Sequence, residues 1–368
     1  MSLQDEIIER SSKIFRDAYQ MSIGELINIY KDGEMDIHPE FQRVFRWSES
    51  QKTSLIESIM LNIPIPSIFV SQNDEGVWDV IDGVQRLSTI FQFVGIFKDE
   101  DNKEIKPLIL QKTDYLPSFE GMMWDNPDNP EKSFTKEQQL DFKRARIDVI
   151  IVKKESDPNT KYELFQRLNT GGSKLSDQEV RNCLMIMTNR DFYVFLDKLA
   201  KNDDFNECVT ITDRKEDEQF KLELILRLLI AVKMDLDDAS YYNDLGELLD
   251  RETIKILETI RKEDYDIIED RFNRTFKLLN ELLGEDSFKK YTEDKHKGAF
   301  LVSAFQGIAS GIYINIDSIE NESHDLVDKI RKFYDTDIYI ESTKKGARAV
   351  PRFKDLTLWG KKFFGNGY

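Results

Sequence analysis

The distribution of strand signals is the feature that most constrains the fold. Three short runs rich in β-branched residues, SIFVSQ, VWDVI and RIDVIIV, all lie before residue 153. After them, apolar residues recur at helical spacing in one segment after another. We therefore expect the main sheet in the N-terminal part of the 368-residue chain and almost no strands after it. The pattern predicts an α+β protein, with an α/β domain at residues 1–155 and a mainly helical domain at residues 156–368.

Capping signals predict where the first helices begin. Ser22 with Glu25, and Ser48 with Gln51, form capping-box pairs, each followed by helical spacing of apolar residues. RIDVIIV, a short apolar run, suits an interior strand of the sheet. Residues 98–135 are polar and contain four prolines, so they predict an insertion or a flexible lid within the first domain.

Charge and composition exclude several classes of protein. The formal net charge of −17 disfavours a protein that coats duplex DNA through bulk positive charge, because phosphate binding needs a basic surface. Three histidines and two cysteines disfavour a structural zinc site of the Cys/His type. No signal peptide and no apolar run of about 20 residues is present, so we expect a cytoplasmic protein without a membrane span.

The segment IDGVQR stands between a predicted strand and a predicted helix. Gly83 suits a tight turn, and the first backbone N–H groups of the helix would then face a bound anion. In that interpretation Arg86 binds phosphate, Gln85 orients a water, and Asp82 holds a divalent cation or accepts a proton. The alternative is an ordinary Asp-Gly turn in which Asp82 caps the helix.

A second candidate is the segment EFQRVFRW at residues 40–47. Arg43 and Arg46 stand among three aromatic residues there, a composition suited to binding a phosphate while stacking on a base. The alternative is a packed loop in which the aromatic rings cover a core and the arginines extend to solvent.

A third candidate is the segment RLNTGGSKLSDQEVRN. The backbone donors of Asn169, Thr170, Gly171 and Gly172 would cradle an anion. The alternative is a glycine helix stop followed by a capping box of Ser176 with Glu179. The segment is not a Walker loop, since G-x-x-x-x-G-K-[ST] is absent from the chain.

The C-terminal basic stretch, residues 341–368, has a net charge of +5 with aromatic residues between the cations. It predicts either a nucleic-acid contact or a segment that packs its aromatic rings on the acidic helical domain. Its basic residues are Lys344, Lys345, Arg348, Arg352, Lys354, Lys361 and Lys362.

His296, Asn315 and His324 occur in the order found in HNH nucleases, which need a general-base histidine and metal ligands. The intervening GAFLVSAFQGIASGIY has the spacing of a buried helix instead. We therefore predict no HNH centre in this chain.

Taken together, the segments HPEFQRVFRW, IESIMLNIPIP, VWDVIDGVQRLSTI and FQRLNTGGSKLSDQEVRN resemble the domain of unknown function 262 family, also called the GmrSD restriction endonuclease N-terminal domain. The resemblance covers about residues 20 to 185. It implies a ParB/sulfiredoxin-like α/β core followed by helices, and a D-G-Q-Q-R motif tied to binding and hydrolysis of a nucleoside triphosphate. It also implies a role in bacterial defence against modified phage DNA.

The family motif falls on Asp82, Gly83, Gln85 and Arg86, while Val84 replaces its first glutamine. If the missing glutamine contacts the nucleotide or the attacking water, this chain would bind nucleotide and hydrolyse it slowly. The family's Gln-Arg before an aromatic falls on Gln42 and Arg43, and its N-T-G-G falls on Asn169 to Gly172.

These observations lead to two competing hypotheses. The first is a Mg²⁺-dependent NTPase that acts as the regulatory or sensing component of a restriction-type system, with Asp82, Gln85 and Arg86 as catalytic residues and a separate nuclease or defence partner. The second is a non-catalytic ParB-like DNA-binding module. In the second, Arg43, Arg46 and the C-terminal basic stretch contact phosphates.

Overall fold

The structure is a computed structural model that describes residues 2–5, 16–37, 47–73, 75–99, 103–153, 176–236, 238–320 and 325–365. The chain divides into two compact units, Met1–Lys174 and Leu175–Tyr368. The boundary that the sequence predicts, between residues 155 and 156, lies outside the described residues, as does the glycine helix stop that is one of the two interpretations of the third segment.

The N-terminal unit is built on a five-stranded mixed sheet, and this confirms the α/β part of the predicted fold class. In spatial order the strands run β1-β5-β3-β4-β2. They are β1 (Arg16–Ser22), β2 (Met35–Asp36), β3 (Ile68–Gln72), β4 (Trp78–Asp82) and β5 (Arg146–Val152). The helices described in this unit are α1 (Ile23–Lys31), α2 (Glu49–Met60), α3 (Val84–Phe93) and α4 (Lys136–Arg144).

Strand β5 lies inside the sheet, as its apolar run predicts. It pairs antiparallel with β1 and parallel with β3, and Ile147, Val149 and Ile151 are buried. Strand β1 was not predicted, because its sequence RDAYQMS lacks an apolar alternation. Residues 18–20 of this strand are exposed and Met21 is buried. Pairing along its whole length with β5 holds it in the sheet.

The predicted helix starts are confirmed at both capping pairs. The Ser22 hydroxyl accepts a hydrogen bond from the Glu25 N–H over 3.2 Å. Ser48 and Gln51 bond reciprocally, side chain to backbone. These bonds satisfy N–H groups that have no partner within the first turn of a helix.

Residues 103–135 pack onto the N-terminal unit. Phe119 and Phe134 are buried, and the Trp124 ring meets the rings of Phe93 on α3 and Phe142 on α4, with centroids 5.7 and 5.5 Å away. Aromatic burial of this kind holds a stretch that has little regular secondary structure.

The C-terminal unit is mainly helical, as predicted. Its helices are α5 (Asp177–Ala200), α6 (Asp203–Cys208), α7 (Asp213–Asp217), α8 (Phe220–Lys233), α9 (Leu245–Thr259), α10 (Lys262–Leu283), α11 (Val302–Ala304), α12 (Ser310–Ile319), α13 (Leu326–Phe333), α14 (Asp337–Thr343) and α15 (Ala349–Phe363), with a π-helical turn at Phe305–Ala309 and a small hairpin of β6 (Lys290–Thr292) and β7 (Lys295–Lys297). Within the described residues, no helix combines the length and apolarity needed to cross a membrane.

Helices α9 and α10 are separate, because Ile260 is extended and the Arg261 N–H bonds to Asp264 Oδ2 over 3.0 Å, which starts a new helix. The C-terminal basic stretch is largely helical, and its rings at Phe353, Phe363 and Phe364 are buried. The packing alternative is therefore correct for these rings.

Candidate functional site

The segment IDGVQR occupies a strand-to-helix turn, as the sequence predicts. Strand β4 ends at Asp82, Gly83 has a φ of +100°, and α3 begins at Val84. A Cβ atom on Gly83 would lie 2.9 Å from Cγ1 of Ile68, on the neighbouring strand β3. Both the left-handed backbone and the close approach require glycine at this position.

Helix α3 starts without a side-chain cap. Gly83 is its N-cap residue, and the Leu87 N–H bonds to the Gly83 carbonyl over 2.9 Å. The alternative in which Asp82 caps this helix is therefore wrong. A helix start of this kind presents backbone N–H groups and the positive end of the helix dipole.

Arg86 is buried at the first turn of α3 and is bonded within the protein. Its Nη2 atom donates to Asp82 Oδ2 over 2.8 Å, and its Nη1 atom donates to the carbonyl oxygens of Pro66 and, over 3.1 Å, Ser67. The guanidinium thus joins the IPIP segment to the end of β4. The structure places Arg86 in the predicted turn, with both terminal nitrogens already bonded.

Asp82 differs from Arg86 in its exposure. Its side chain is 48% exposed, against 10% for Arg86, so the carboxylate is reachable from solvent while it is paired. In the described part of the chain, no three His, Cys, Asp or Glu side chains cluster closely enough to hold a metal. A Mg²⁺ ion is commonly held by one or two carboxylates together with substrate phosphates, and a single accessible carboxylate fits that arrangement.

Gln85 contacts the end of the second candidate segment. Its Oε1 atom accepts a hydrogen bond from the backbone N–H of Trp47 over 3.2 Å. At the other end of that segment, β2 runs parallel to β4, with Asp36 opposite Asp79, and so heads in the direction of Asp82. Trp47, which follows residues 38–46, therefore bonds to the Asp82–Arg86 turn, and β2, which precedes them, runs along β4 in the direction of that turn.

Several predicted binding residues lie outside the described part of the chain. These are Gln42, Arg43, Arg46, Asn169, Thr170, Gly171 and Gly172. The capping box within the third segment is present, since Ser176 and Glu179 bond reciprocally at the start of α5.

Sequence reasoning missed the backbone partners of the turn. The carbonyl groups of Pro66 and Ser67 and the N–H of Trp47 belong to no motif, because every residue type can supply them. One signal was present in the IPIP segment: residues before proline are extended, which leaves their carbonyl groups without helical partners.

The basic residues of the C-terminal stretch are distributed over the surface of the second unit. Lys345 and Arg348 are exposed, Lys344 pairs with Glu341, and Arg352 is partly buried.

His296 and Asn315, two of the three residues that occur in the order found in HNH nucleases, form hydrogen bonds within the second unit. His296 Nδ1 lies 3.2 Å from the Lys289 carbonyl oxygen, and Asn315 Nδ2 donates to the carbonyls of Gly311 and Lys361. His324 lies outside the described residues.

Comparison with known proteins supports the resemblance drawn from the motifs. Residues 23–186 match the family model described as "GmrSD restriction endonuclease, N-terminal domain". The match includes IDGVQR and both of the other candidate segments of the first 186 residues. Neither the curated proteins nor the solved structures include a significant match to this chain.

Proposed function

We propose that this chain, whose residues 23–186 match the family model of the GmrSD restriction endonuclease N-terminal domain, is a nucleotide-dependent component of a restriction-type system of phage defence. In this proposal it binds and hydrolyses a nucleoside triphosphate with Mg²⁺, in the cytoplasm, and signals to a separate nuclease or defence partner. The observation that carries the proposal is the turn from Asp82 to Arg86, where an uncapped helix start adjoins an accessible carboxylate.

Three features of the turn support the proposal. The uncapped N–H groups of α3 and its dipole favour a phosphate group. Asp82 would hold Mg²⁺ together with phosphate oxygens, and the ion would neutralise charge that develops as the terminal phosphate leaves. In the described geometry Arg86 aligns Asp82 and supplies positive charge beside it.

Gln85 and Val84 bear on the rate of hydrolysis. Gln85 Oε1 is held by the Trp47 N–H, which leaves Nε2 as its donor to a phosphate oxygen or a water. Val84, which replaces the family's first glutamine, is buried. The chain thus lacks a second amide here, and we propose that it turns over nucleotide slowly.

The test is phosphate release from each of the four common NTPs with Mg²⁺. We expect turnover by the wild-type chain and at least a tenfold loss in Asp82→Asn, a change that preserves side-chain size but weakens metal binding. Arg144→Ala, at an exposed arginine of α4, is the matched control and should keep wild-type turnover.

Binding is measured separately by thermal shift, since a ligand at 100 times its dissociation constant stabilises a fold by about 2.7 kcal/mol. No stabilisation by any NTP would contradict the proposal, and so would wild-type turnover in a folded Asp82→Asn variant.

A second candidate function, DNA binding without catalysis, is favoured by the exposure of Lys345 and Arg348. In that case duplex affinity, measured by fluorescence anisotropy, falls steeply with added salt. The double variant Lys345→Glu with Arg348→Glu should weaken it at every salt concentration. Salt-insensitive binding would contradict this alternative.

A further inference from the structure

The helical unit contains a cavity of about 550 Å³ where four helices meet. The C-terminal part of α8, the first half of α10, the middle of α12 and the last turns of α15 line it. Its volume falls within the range of about 300–1,000 Å³ that small-molecule sites occupy. All of its lining residues belong to the second unit, so this cavity shares no residue with the Asp82 turn.

Apolar side chains form most of the cavity wall and its edge. Leu229 and Ile268 are buried in the wall. Ile267 and Leu358 also line the cavity and are 62% and 42% exposed, an unusual degree of exposure for large aliphatic side chains. A ligand with an apolar body would cover these two side chains and remove them from water.

Tyr313 adds a polar group to the wall. Tyr313 lines the cavity and is only 3% exposed. Burial raises the pKa of Tyr313 to about 12, so the hydroxyl stays protonated and can donate to a ligand at neutral pH.

The charges around the cavity leave one cation unmatched. Lys233 lies 3.9 Å from Asp264, Arg271 pairs with Asp317, and Asp235 is engaged within the chain. Lys361, by contrast, is exposed and forms no ion pair with any other described residue. A ligand group placed against this ammonium should therefore be negatively charged.

We propose that this cavity binds a small amphipathic anion. The apolar body of the ligand lies against Ile267, Ile268 and Leu358, a hydrogen-bond acceptor meets the Tyr313 hydroxyl, and a carboxylate, sulfonate or phosphate group meets Lys361. None of the residues of this site is among those assigned to the nucleotide turn, so we propose it as a second binding site in addition to that turn.

The experiment uses anilinonaphthalene sulfonate, a fluorescent probe with an aromatic body and one anionic group. Titration of the folded, full-length chain should give saturable binding of one probe per chain. Lys361→Ala should weaken binding by about threefold to fivefold, the range expected for one exposed charge pair. Tyr313→Phe should weaken it through loss of the hydroxyl donor while leaving the fold intact.

Two controls make the outcome decisive. Lys345→Ala removes an exposed cation of the same unit that does not line the cavity, and it should bind the probe as the wild type does. Phenylnaphthylamine has the same aromatic body without the sulfonate, and its affinity should not depend on Lys361.

Unsaturable probe binding would overturn the proposal, as would equal affinity in the Lys361→Ala, Tyr313→Phe and Lys345→Ala variants. Circular dichroism and the thermal midpoint establish that each variant is folded. Because the readout is probe fluorescence, the result is independent of whether the chain hydrolyses nucleotides.

Discussion

Arg86 donates from Nη2 to Oδ2 of Asp82 across 2.8 Å, while its Nη1 atom holds the carbonyl groups of Pro66 and Ser67. One side chain thus fixes the end of β4, the start of α3 and the segment that leads into β3. The pairing makes Arg86 a positioning residue for Asp82, whose carboxylate remains half exposed.

This arrangement predicts different consequences for the two members of the pair. Arg86→Lys keeps the positive charge, but a single ammonium cannot replace the planar fork that reaches three oxygens. We expect a loss of about 1–3 kcal/mol in the free energy of unfolding. Asp82→Asn should cost less than about 1 kcal/mol, because the carboxylate is half exposed to solvent.

Urea unfolding of the full-length chain measures the stability losses of Arg86→Lys and Asp82→Asn. Arg144→Lys, at an exposed residue of α4, is the control. A stability loss in Asp82→Asn equal to that in Arg86→Lys would show that the ion pair, rather than the carbonyl bonds, carries the effect.

Gly83 and Gly33 allow the two destabilising effects of an added Cβ, backbone strain and steric overlap, to be separated. Both have positive φ, +100° and +75°. A Cβ on Gly83 meets Ile68 at 2.9 Å, whereas a Cβ on Gly33 has nothing within 4 Å. Gly33→Ala should therefore lose about 1 kcal/mol of stability from backbone strain alone, and Gly83→Ala about 2–4 kcal/mol. Thermal midpoints of the two variants test this order, and equal midpoints would contradict it.

Gly360 lies at a close crossing of α15 with the helical segment that contains Gly307 and Gly311. A Cβ on Gly360 would overlap the Gly307 carbonyl oxygen, and one on Gly311 would lie 2.5 Å from the Gly360 carbonyl oxygen. In an exposed helix, Gly→Ala adds about 1 kcal/mol of stability. At this crossing we expect Gly360→Ala to destabilise the protein instead, with a loss of about 3 kcal/mol or more in the free energy of unfolding.

Leu358→Ala, two residues earlier on the exposed face of the same helix, is the control and should change stability little. Chemical denaturation followed by far-UV circular dichroism compares the two. If Gly360→Ala leaves stability unchanged or raises it, the prediction is wrong, because α15 and the Gly307–Gly311 segment could then move apart without a loss of stability.

A buried charge network predicts the acid sensitivity of the helical unit. Arg181, which is 1% exposed, binds Asp250 over 2.7 Å and Glu223 over 3.1 Å, and Glu223 also pairs with Arg227. Burial acts to raise the pKa of Glu223, but Arg227 and Arg181 together hold it below the ordinary value of 4.5. The carboxylate therefore contributes stability that is present above that value and is lost as pH falls through the lowered pKa.

We expect the urea midpoint of the wild type to decline as pH falls below 4.5. Glu223→Gln should be less stable at neutral pH and should show a shallower decline. Glu216→Gln, at an exposed acid whose ion pair within the described residues is with Lys221, is the control and should follow the wild-type profile. If the urea midpoints of the wild type and Glu223→Gln fall in parallel as pH decreases, the Glu223 carboxylate is not the source of the acid sensitivity.

Local signals determined the main elements of this protein. The β-branched runs predicted β3, β4 and β5, the capping boxes placed the starts of α1, α2 and α5, and the Asp-Gly pair marked the turn at the end of β4. Each depends on residues close together in the chain, whose backbone preferences and first-turn hydrogen bonds need no distant partner.

Only the tertiary structure decided what these residues contact. Pairing of strands brought the Pro66 and Ser67 carbonyls to Arg86, and folding of residues far apart brought the Trp47 N–H to Gln85. Likewise, the cavity beside Tyr313 is formed by residues of four helices that are distant in sequence and come together on folding. Backbone groups carry no sequence signature, and contacts between distant segments depend on the packing of the whole unit.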